Sequence, residues 1–363
     1  MMPIAFFTGF PGFLGSELLP RILARRPDQT AVCLVQAKFT DLANRRLAEL
    51  RDREPSLESR VRIIEGDITV SGFGSEELRD LMPQVADIFH LAAIYDLGVA
   101  RDLAMLVNVD GTRNVLEFAR GCSSLGRLHY VSTCYVSGKY QGTFTEGHLQ
   151  EGQSFNNFYE ETKYLAEIEV QEAMSRGLPA TIYRPAIVAG DSTTGSTQKF
   201  DGLYYMIQWL LRQPRLAAMP VVGDPRGTEF NVVPRDFVLD AITYLSGLDD
   251  TVGEVFNLAD PHPLTVDELL RELARSTRRR ILRLPLSVGM AKGAISGLPG
   301  VYRLMRVPAS AVDYMVHPTR YGTERAQSFL EPAGILVPPL PAYVDRLVEF
   351  VRSNPQIGSA AMS

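Results

Sequence analysis

The chain has 363 residues, 45% hydrophobic and 22% charged, with a formal net charge of -5. That length suits one large domain with a smaller lobe, and the acidic balance argues against a nucleic-acid partner, since phosphate binding gathers excess Lys and Arg. Three cysteines, Cys33, Cys122 and Cys134, with no Cys-x-x-Cys pair, disfavour a disulfide framework and a zinc site, so a reducing, cytoplasmic compartment is expected.

The first predicted element is a short apolar strand at 4–7, followed directly by Thr8-Gly9-Phe10-Pro11-Gly12-Phe13-Leu14-Gly15 and a helix whose apolar positions 14, 18, 19, 22 and 23 share one face. Strand, glycine turn and helix in immediate succession let backbone N–H groups at a helix N-terminus meet a pyrophosphate, which points to a dinucleotide. Further strands are expected at 30–35, 61–65, 88–93, 127–133 and 180–184, with helices at 40–53, 107–122 and 158–176 between them. This alternation predicts an α/β fold of Rossmann type, a doubly wound parallel sheet with its sites at the strand C-terminal ends.

After Pro185 the rhythm changes. A Gly/Ser/Thr-rich stretch at 190–195 precedes an aromatic helix at 203–211. Residues 231–238 return to the periphery of the sheet, 254–258 adds a strand, and Thr265-Val266-Asp267-Glu268 opens a helix with a capping box. The expected organisation is a dinucleotide-binding domain at 1–185, rejoined near 226–260, a smaller, mostly helical substrate lobe from 186–225 and 261–355, and a flexible tail at 356–363. The run Arg278-Arg279-Arg280 reads as a solvated helix end. Residues 284–305 are broken by Lys292, Pro299, Arg303 and four glycines, so no span of a bilayer is expected; Met1-Met2-Pro3 carries no basic region of a signal peptide. Around Ile295 and Val301, weak peripheral membrane contact and an acyl-chain lining are equal readings.

The chemistry concentrates in Ser132-Thr133 at a strand end and Tyr159-Glu160-Glu161-Thr162-Lys163 at a helix start. Tyr and Lys four apart share a helix face. A phenol of pKa about 10 is a poor acid–base group near neutrality until a cation stabilises its phenolate. Lys163 supplies the cation in this reading and Thr133 holds a substrate oxygen.

With these residues in place the chain resembles the extended short-chain dehydrogenase/reductases. Thr8-Gly9-x-x-Gly12-x-x-Gly15, Gly66-Asp67-Ile68, His90-Leu91-Ala92-Ala93, Asn108-Val109-Asp110-Gly111-Thr112 and Tyr159-x-x-x-Lys163 carry the likeness over the first half. Counting back from Gly138 aligns Thr133, rather than Ser132, with the family's catalytic hydroxyl. Tyr183-Arg184-Pro185-x-Ile187-Val188-x-Gly190-Asp191-Ser192, Lys199-Phe200-Asp201-Gly202, Val233-Pro234-x-Asp236-Phe237-Val238 and His317-Pro318-Thr319-Arg320-Tyr321 are similar to the fatty acyl-CoA reductases and thioester reductase domains.

The resemblance implies NADPH-dependent reduction of an acyl thioester, or of the aldehyde it gives, in lipid metabolism, with acyl-CoA or fatty aldehyde as substrate and a monomer or homodimer as the assembly. The catalytic set is Thr133, Tyr159 and Lys163, and Tyr159 delivers the proton. The cofactor is expected on Gly9, Gly12, Phe13, Leu14, Gly15, Gln36, Lys38, Arg45, Asp67, Ile68, Leu91, Ala92, Ala93, Asn108, Pro185 and Ile187. NADP(H) is preferred over NAD(H), because Gln36, Lys38, Arg45 and Arg46 follow the second strand with no acid before Asp41. Tyr95, Thr133 and Tyr204 are the substrate candidates; for Tyr95 substrate contact and loop packing weigh equally, and for the helix at 203–211 core packing outweighs walling an acyl pocket. Cys134 reads as a buried thiol rather than a nucleophile, His90 as a strand-end residue bonded to backbone, and no metal is expected. The alternatives are a dihydroflavonol- or 3β-hydroxysteroid-type ketone and alcohol dehydrogenase, a nucleotide-sugar epimerase, and a cofactor-sensing regulator without turnover. The acidic pair of the related dehydratases is replaced here by Cys134-Tyr135.

Overall fold

The computed structural model of the chain describes residues 2–297 and 309–358. Seven strands form one parallel sheet: β1 (Ile4–Thr8), β2 (Thr30–Val35), β3 (Val61–Glu65), β4 (Val85–His90), β5 (Arg127–Val131), β6 (Ala180–Pro185) and β7 (Val255–Leu258). Their order is β3-β2-β1-β4-β5-β6-β7. The chain winds outward from β1 to β3 and then crosses back to β4, so the order reverses between β1 and β4. Ligands of doubly wound sheets bind at the strand C-terminal ends beside such a reversal.

Successive side chains of a strand point to opposite faces, and here both faces are covered. Phe6 packs on one face with Phe73 and Phe118, at ring separations of 5.8 and 4.8 Å. Phe7 begins a row on the other face that runs through Phe89, His129, Tyr183 and Phe256, one residue from each of five adjacent strands, with neighbouring rings 4.8, 4.3, 6.1 and 6.4 Å apart. All are buried. Truncating a phenylalanine in such a core costs about 3–5 kcal/mol, so the rows hold the sheet's register as well as its layers.

The fourth strand ends at His90, three residues before the sequence pattern suggests. Its continuation, Leu91 to Ala93, bends over the glycine turn. The cause lies in the side chains around His90. Thr112 Oγ1 gives its proton to the Asn108 carbonyl, 2.6 Å away, so it accepts from His90 Nε2 at 3.0 Å. Nδ1 then accepts from Thr8 Oγ1 at 2.7 Å, and Thr8 Oγ1 accepts from the Ala92 N–H. His90 is thus bonded to two hydroxyls rather than to backbone, and it ties the ends of β1 and β4 to the helix Gly111–Gly121. That helix is continuous with Arg101–Ala104 through a π-helical segment, Met105–Asp110, and so starts earlier than the pattern at 107–122 suggests.

Much of the chain beyond β6 builds the second lobe, while the helices Arg235–Leu245 and Glu324–Leu330 pack on the sheet. Ile187–Ala189 pairs with Val232–Pro234, and Leu216–Val222 with Arg280–Leu286. Helices Leu203–Leu211, Val266–Thr277 and Val344–Ser353 enclose a core that includes Phe200, Tyr204, Leu270 and Tyr343. The capping box at Thr265 and Glu268 forms. Val255–Leu258 returns as the seventh strand, and Thr319–Tyr321 pairs with Gly142–Phe144, where Thr319 Oγ1 donates to the Tyr140 carbonyl at 2.7 Å. The basic run does end a helix: Arg278, the cap of Val266–Thr277, and Arg280 are exposed, while Arg279 is half-buried and donates to the carbonyls of Leu210 and Gln213 at the end of Leu203–Leu211. At the tail, the Phe200 N–H donates to the Gly358 carbonyl at 2.9 Å and Ile357 packs on the lobe core. Residues 359–363, Val301 and the side chain of Ile295, on which the membrane reading rested, lie outside the described residues. Among the described residues no helix is long and apolar enough to cross a membrane.

Candidate active site

Beside the reversal of strand order lies a cavity of about 890 Å³. Its first end is the glycine turn. Gly9 has φ +92°, and a Cβ there would meet the Ala92 nitrogen and the Leu91 carbonyl carbon at 2.7 Å. A Cβ on Gly12 or Gly15 would lie 2.7 or 2.6 Å from the Gly9 carbonyl oxygen. The Leu91–Ala92 peptide therefore requires the first glycine, and the Gly9–Phe10 peptide, around which the turn is wrapped, requires the other two. No side chain caps the helix Gly15–Arg25; the Ser16 and Glu17 N–H groups donate to the Gly12 and Leu14 carbonyls, and the N–H groups of Phe13, Leu14 and Gly15, at the cavity wall, are placed for an anion.

The wall continues through Gln36, Lys38, Asp67, Ile68, Leu91, Ala92 and Ala93 to Pro185 and Ile187, so most residues singled out from the sequence meet in one space. Two of the cofactor candidates stand outside it. Arg45 is exposed on the far side of the helix Thr40–Arg53, and it is Arg46, with Leu42 one turn before it, that reaches the wall. The signal was available: Ala43, Leu47 and Leu50 define the buried face of that helix, and Arg46 borders it whereas Arg45 does not. Arg46 Nη1 pairs with Glu49 at 2.7 Å, while its buried Nε has no partner within the described residues. Asn108 is buried behind the wall. Its Oδ1 accepts from the Ile94 N–H at 2.8 Å, and its Nδ2 donates to Thr162 Oγ1 at 3.0 Å, fixing the loop after β4 to the helix Phe158–Ser175.

That helix starts at Asn157, whose side chain caps the Glu160 N–H at 3.0 Å, and its first turns carry Tyr159 and Lys163 to the cavity. Thr133 bonds Tyr159 and also donates to the Pro185 carbonyl at 3.3 Å. Burial pushes the Tyr159 phenol up, and the Thr133 bond draws it back. Lys163 does not reach the phenol in the expected way. Its Nζ donates to Tyr130 Oη at 2.8 Å and to the Val131 carbonyl at 2.9 Å, over the Tyr130 ring. Burial pushes Lys163 down to about 7, and Glu167, one turn on, acts the other way.

Ser132 is held by Glu167 at 2.5 Å, and Glu167 is held in turn by Arg184 at 2.6 Å, both acid and base fully buried. Cys134 is buried and donates to the Arg184 carbonyl; burial raises its thiol, as it would for an inert core cysteine. Among the described residues no group of three His, Cys, Asp or Glu is placed to hold a metal.

The second end of the cavity is largely apolar, with Met206, Trp209, Met219, Phe230 and Ile357 on its wall. Tyr204 is not there. It turns into the lobe core, where its hydroxyl accepts from the Gly190 N–H at 2.8 Å, and Tyr205 takes the cavity side. Tyr95 does line the cavity, its ring edge-on to Tyr159 at 4.8 Å. Lys199 and Asp201 also lie on the cavity wall; the sequence offers them only within the Lys199-Phe200-Asp201-Gly202 motif, because which side of the loop faces the cavity is set by distant segments.

A parallel sheet with a glycine turn at its reversal and a Thr-Tyr-Lys set across the cavity defines an NAD(P)-dependent oxidoreductase of the extended short-chain dehydrogenase/reductase fold. Residues 7–242 match the family described as male sterility protein, and the chain belongs to that family. It is 27% identical over 271 residues to the non-canonical nonribosomal peptide synthetase cpsA of Aspergillus campestris, covering 70% of this chain and 25% of that protein. It is 26% identical over 300 residues to the aldehyde reductase lnbA of Aspergillus flavus, covering 77% and 29%. The chain spans between a quarter and a third of the length of these relatives. Among solved structures, the terminal R domain from the myxalamid PKS-NRPS biosynthetic pathway superposes with a TM-score of 0.83 at 25% identity, covering 98% of this chain and 91% of that one.

Proposed function

We propose that the protein is an NADPH-dependent reductase of acyl thioesters and of the aldehydes derived from them. The observation that carries this reading is the Thr133–Tyr159 hydroxyl pair, set between a phosphate-ready glycine turn at one end of the cavity and an apolar wall at the other. The glycine turn, whose three Cβ positions are closed by backbone, and the uncapped helix behind it fit a dinucleotide. When bound, the nicotinamide supplies hydride to the carbonyl carbon.

Thr133 and Tyr159 hydrogen-bond the carbonyl oxygen, and the Tyr159 hydroxyl gives it a proton. Lys163, anchored on Tyr130 and Val131, keeps a positive charge behind the phenol and meets the ribose. Lys38 and Arg46, whose Nε is otherwise unpartnered, favour a 2′-phosphate, and Gln36 leaves no carboxylate of its own to repel one. The apolar wall suits an acyl chain, in keeping with the relatives that are peptide synthetases and aldehyde reductases. Buried Cys134 and aromatic Tyr135 stand where a dehydratase needs acids, which disfavours nucleotide-sugar chemistry.

The test follows NADPH oxidation with acyl thioesters, fatty aldehydes and nucleotide sugars. Thioester- or aldehyde-dependent oxidation is expected, falling about 10²–10⁴-fold in Tyr159→Phe. Turnover of nucleotide sugars alone, or an unaffected Tyr159→Phe, would overturn the reading.

A further inference from the structure

The cavity is apolar at its second end except at one place. Lys199 Nζ pairs with Asp201 at 2.6 Å and sits 4.1 Å from the centre of the Tyr95 ring, the same ring that meets Tyr159 edge-on. An ion pair laid against aromatic walls costs desolvation that the fold does not need to incur. Burial indeed pushes the Asp201 carboxyl up, and the Lys199 ammonium pulls it back. The lysine keeps 23% of its side chain open to the cavity. Loop construction alone does not call for a charge here, since the Phe200–Gly358 backbone bond and the buried Phe200 ring already fix this segment.

Thioester reduction has a need that aldehyde reduction lacks. A hemithioacetal releases its thiol by breaking the C–S bond: the hydroxyl proton returns to Tyr159, the C–O bond becomes a carbonyl, and the departing sulfur takes the C–S electron pair. An alkyl thiolate, with a conjugate acid of pKa about 8.5, leaves faster if protonated as it goes. Tyr159 is occupied by the hydroxyl proton, so the sulfur needs a second donor. Tyr95 joins the two sites: its ring meets Tyr159, which holds the reacting carbonyl, edge-on at 4.8 Å and carries Lys199 Nζ 4.1 Å from its centre, so the polar corner of Tyr95, Lys199 and Asp201 adjoins the reacting carbon on the side away from the acyl wall.

Resting on the thioester reading above, we propose that Lys199 is the acid that protonates the leaving sulfur. The ammonium gives one proton to the thiolate sulfur, yielding aldehyde and free thiol. The resulting amine is recharged from water through the open side of the cavity, with Asp201 holding it in place.

The experiment compares wild type and Lys199→Met, whose apolar stem still covers Tyr95, in NADPH oxidation with three probes: the N-acetylcysteamine thioester of octanoate, its S-phenyl thioester and octanal. The variant is expected to lose tenfold or more in kcat on the alkyl thioester, clearly less on the phenyl thioester, whose more acidic thiol leaves unaided, and less than threefold on octanal. Equal losses on all three would mean that Lys199 only shapes the loop, and no loss on any would mean that it gives no proton; either result overturns the inference. A wild-type protein that reduces octanal but neither thioester would instead remove the thioester reading itself, and this inference with it.

Discussion

Ser132 and Thr133 are neighbours in the chain with different partners: Glu167 holds the first and Tyr159 engages the second. Counting from Gly138 singles out Thr133, but the reason Ser132 is withdrawn, a buried carboxylate neutralised by Arg184, is a contact between segments 17 and 35 residues apart that no local pattern announces. Lys163 is similar. Its spacing from Tyr159 is plain in the sequence, whereas its anchor on Tyr130 depends on helix-to-strand packing. That burial has a consequence for pH. A lysine lowered to about 7 is an ammonium below that value and a neutral amine above it. If the ammonium holds the site, kcat/KM should fall as pH rises through about 7, approaching tenfold per unit. A profile flat from pH 6.5 to 9 would mean the charge is not needed.

At the level of elements, the glycine turn makes the sharpest demand on sequence. A methyl group at Gly12 would be 2.7 Å from the Gly9 carbonyl oxygen, so Gly12→Ala must move backbone. The variant should keep its circular dichroism spectrum and bind NADPH at least about tenfold more weakly, a loss of 1.4 kcal/mol, as followed by nicotinamide fluorescence. Unchanged affinity would remove the turn from the dinucleotide site. Strands β2 and β3 and the helices Thr40–Arg53 and Leu203–Leu211 have the limits their apolar periods suggest, because each is bounded by local breakers. The early end of β4 was not readable, since Leu91 and Ala92 are as apolar as a strand and only the Thr8–His90–Thr112 bridge turns them aside. The same limit applies to Tyr204 and Tyr205, where period alone left the choice of face open.

Across the whole molecule, three histidines are buried in neutral form: burial pushes His90 to about 3 and His129 and His317 to about 4. Because these values lie below the ordinary 6.5, the unfolded chain binds the extra protons. The stability each provides is complete above about pH 6.5 and is lost as pH falls toward the folded value, by up to about 2 kcal/mol per histidine at pH 5. Tm should therefore drop by several degrees between pH 7.5 and 5. An unchanged Tm would mean the imidazoles are accommodated charged. The alternation of strands and helices made the first lobe legible. The second was less so, since its three small sheets pair segments 45 to 177 residues apart.

The π-helical stretch Met105–Asp110 raises a different issue, one of chain length rather than side-chain identity. A π turn accommodates one residue more than an α turn. Removing Val107 would let the segment close as regular α-helix between flanks that stay in phase, with one residue fewer in the turn that presents Asn108. The regularised helix should melt within a few degrees of the original, yet Asn108 could no longer tie Ile94 to Thr162, and turnover should collapse. Here a single-residue deletion that makes the helix more regular would silence the enzyme with every catalytic residue still in place.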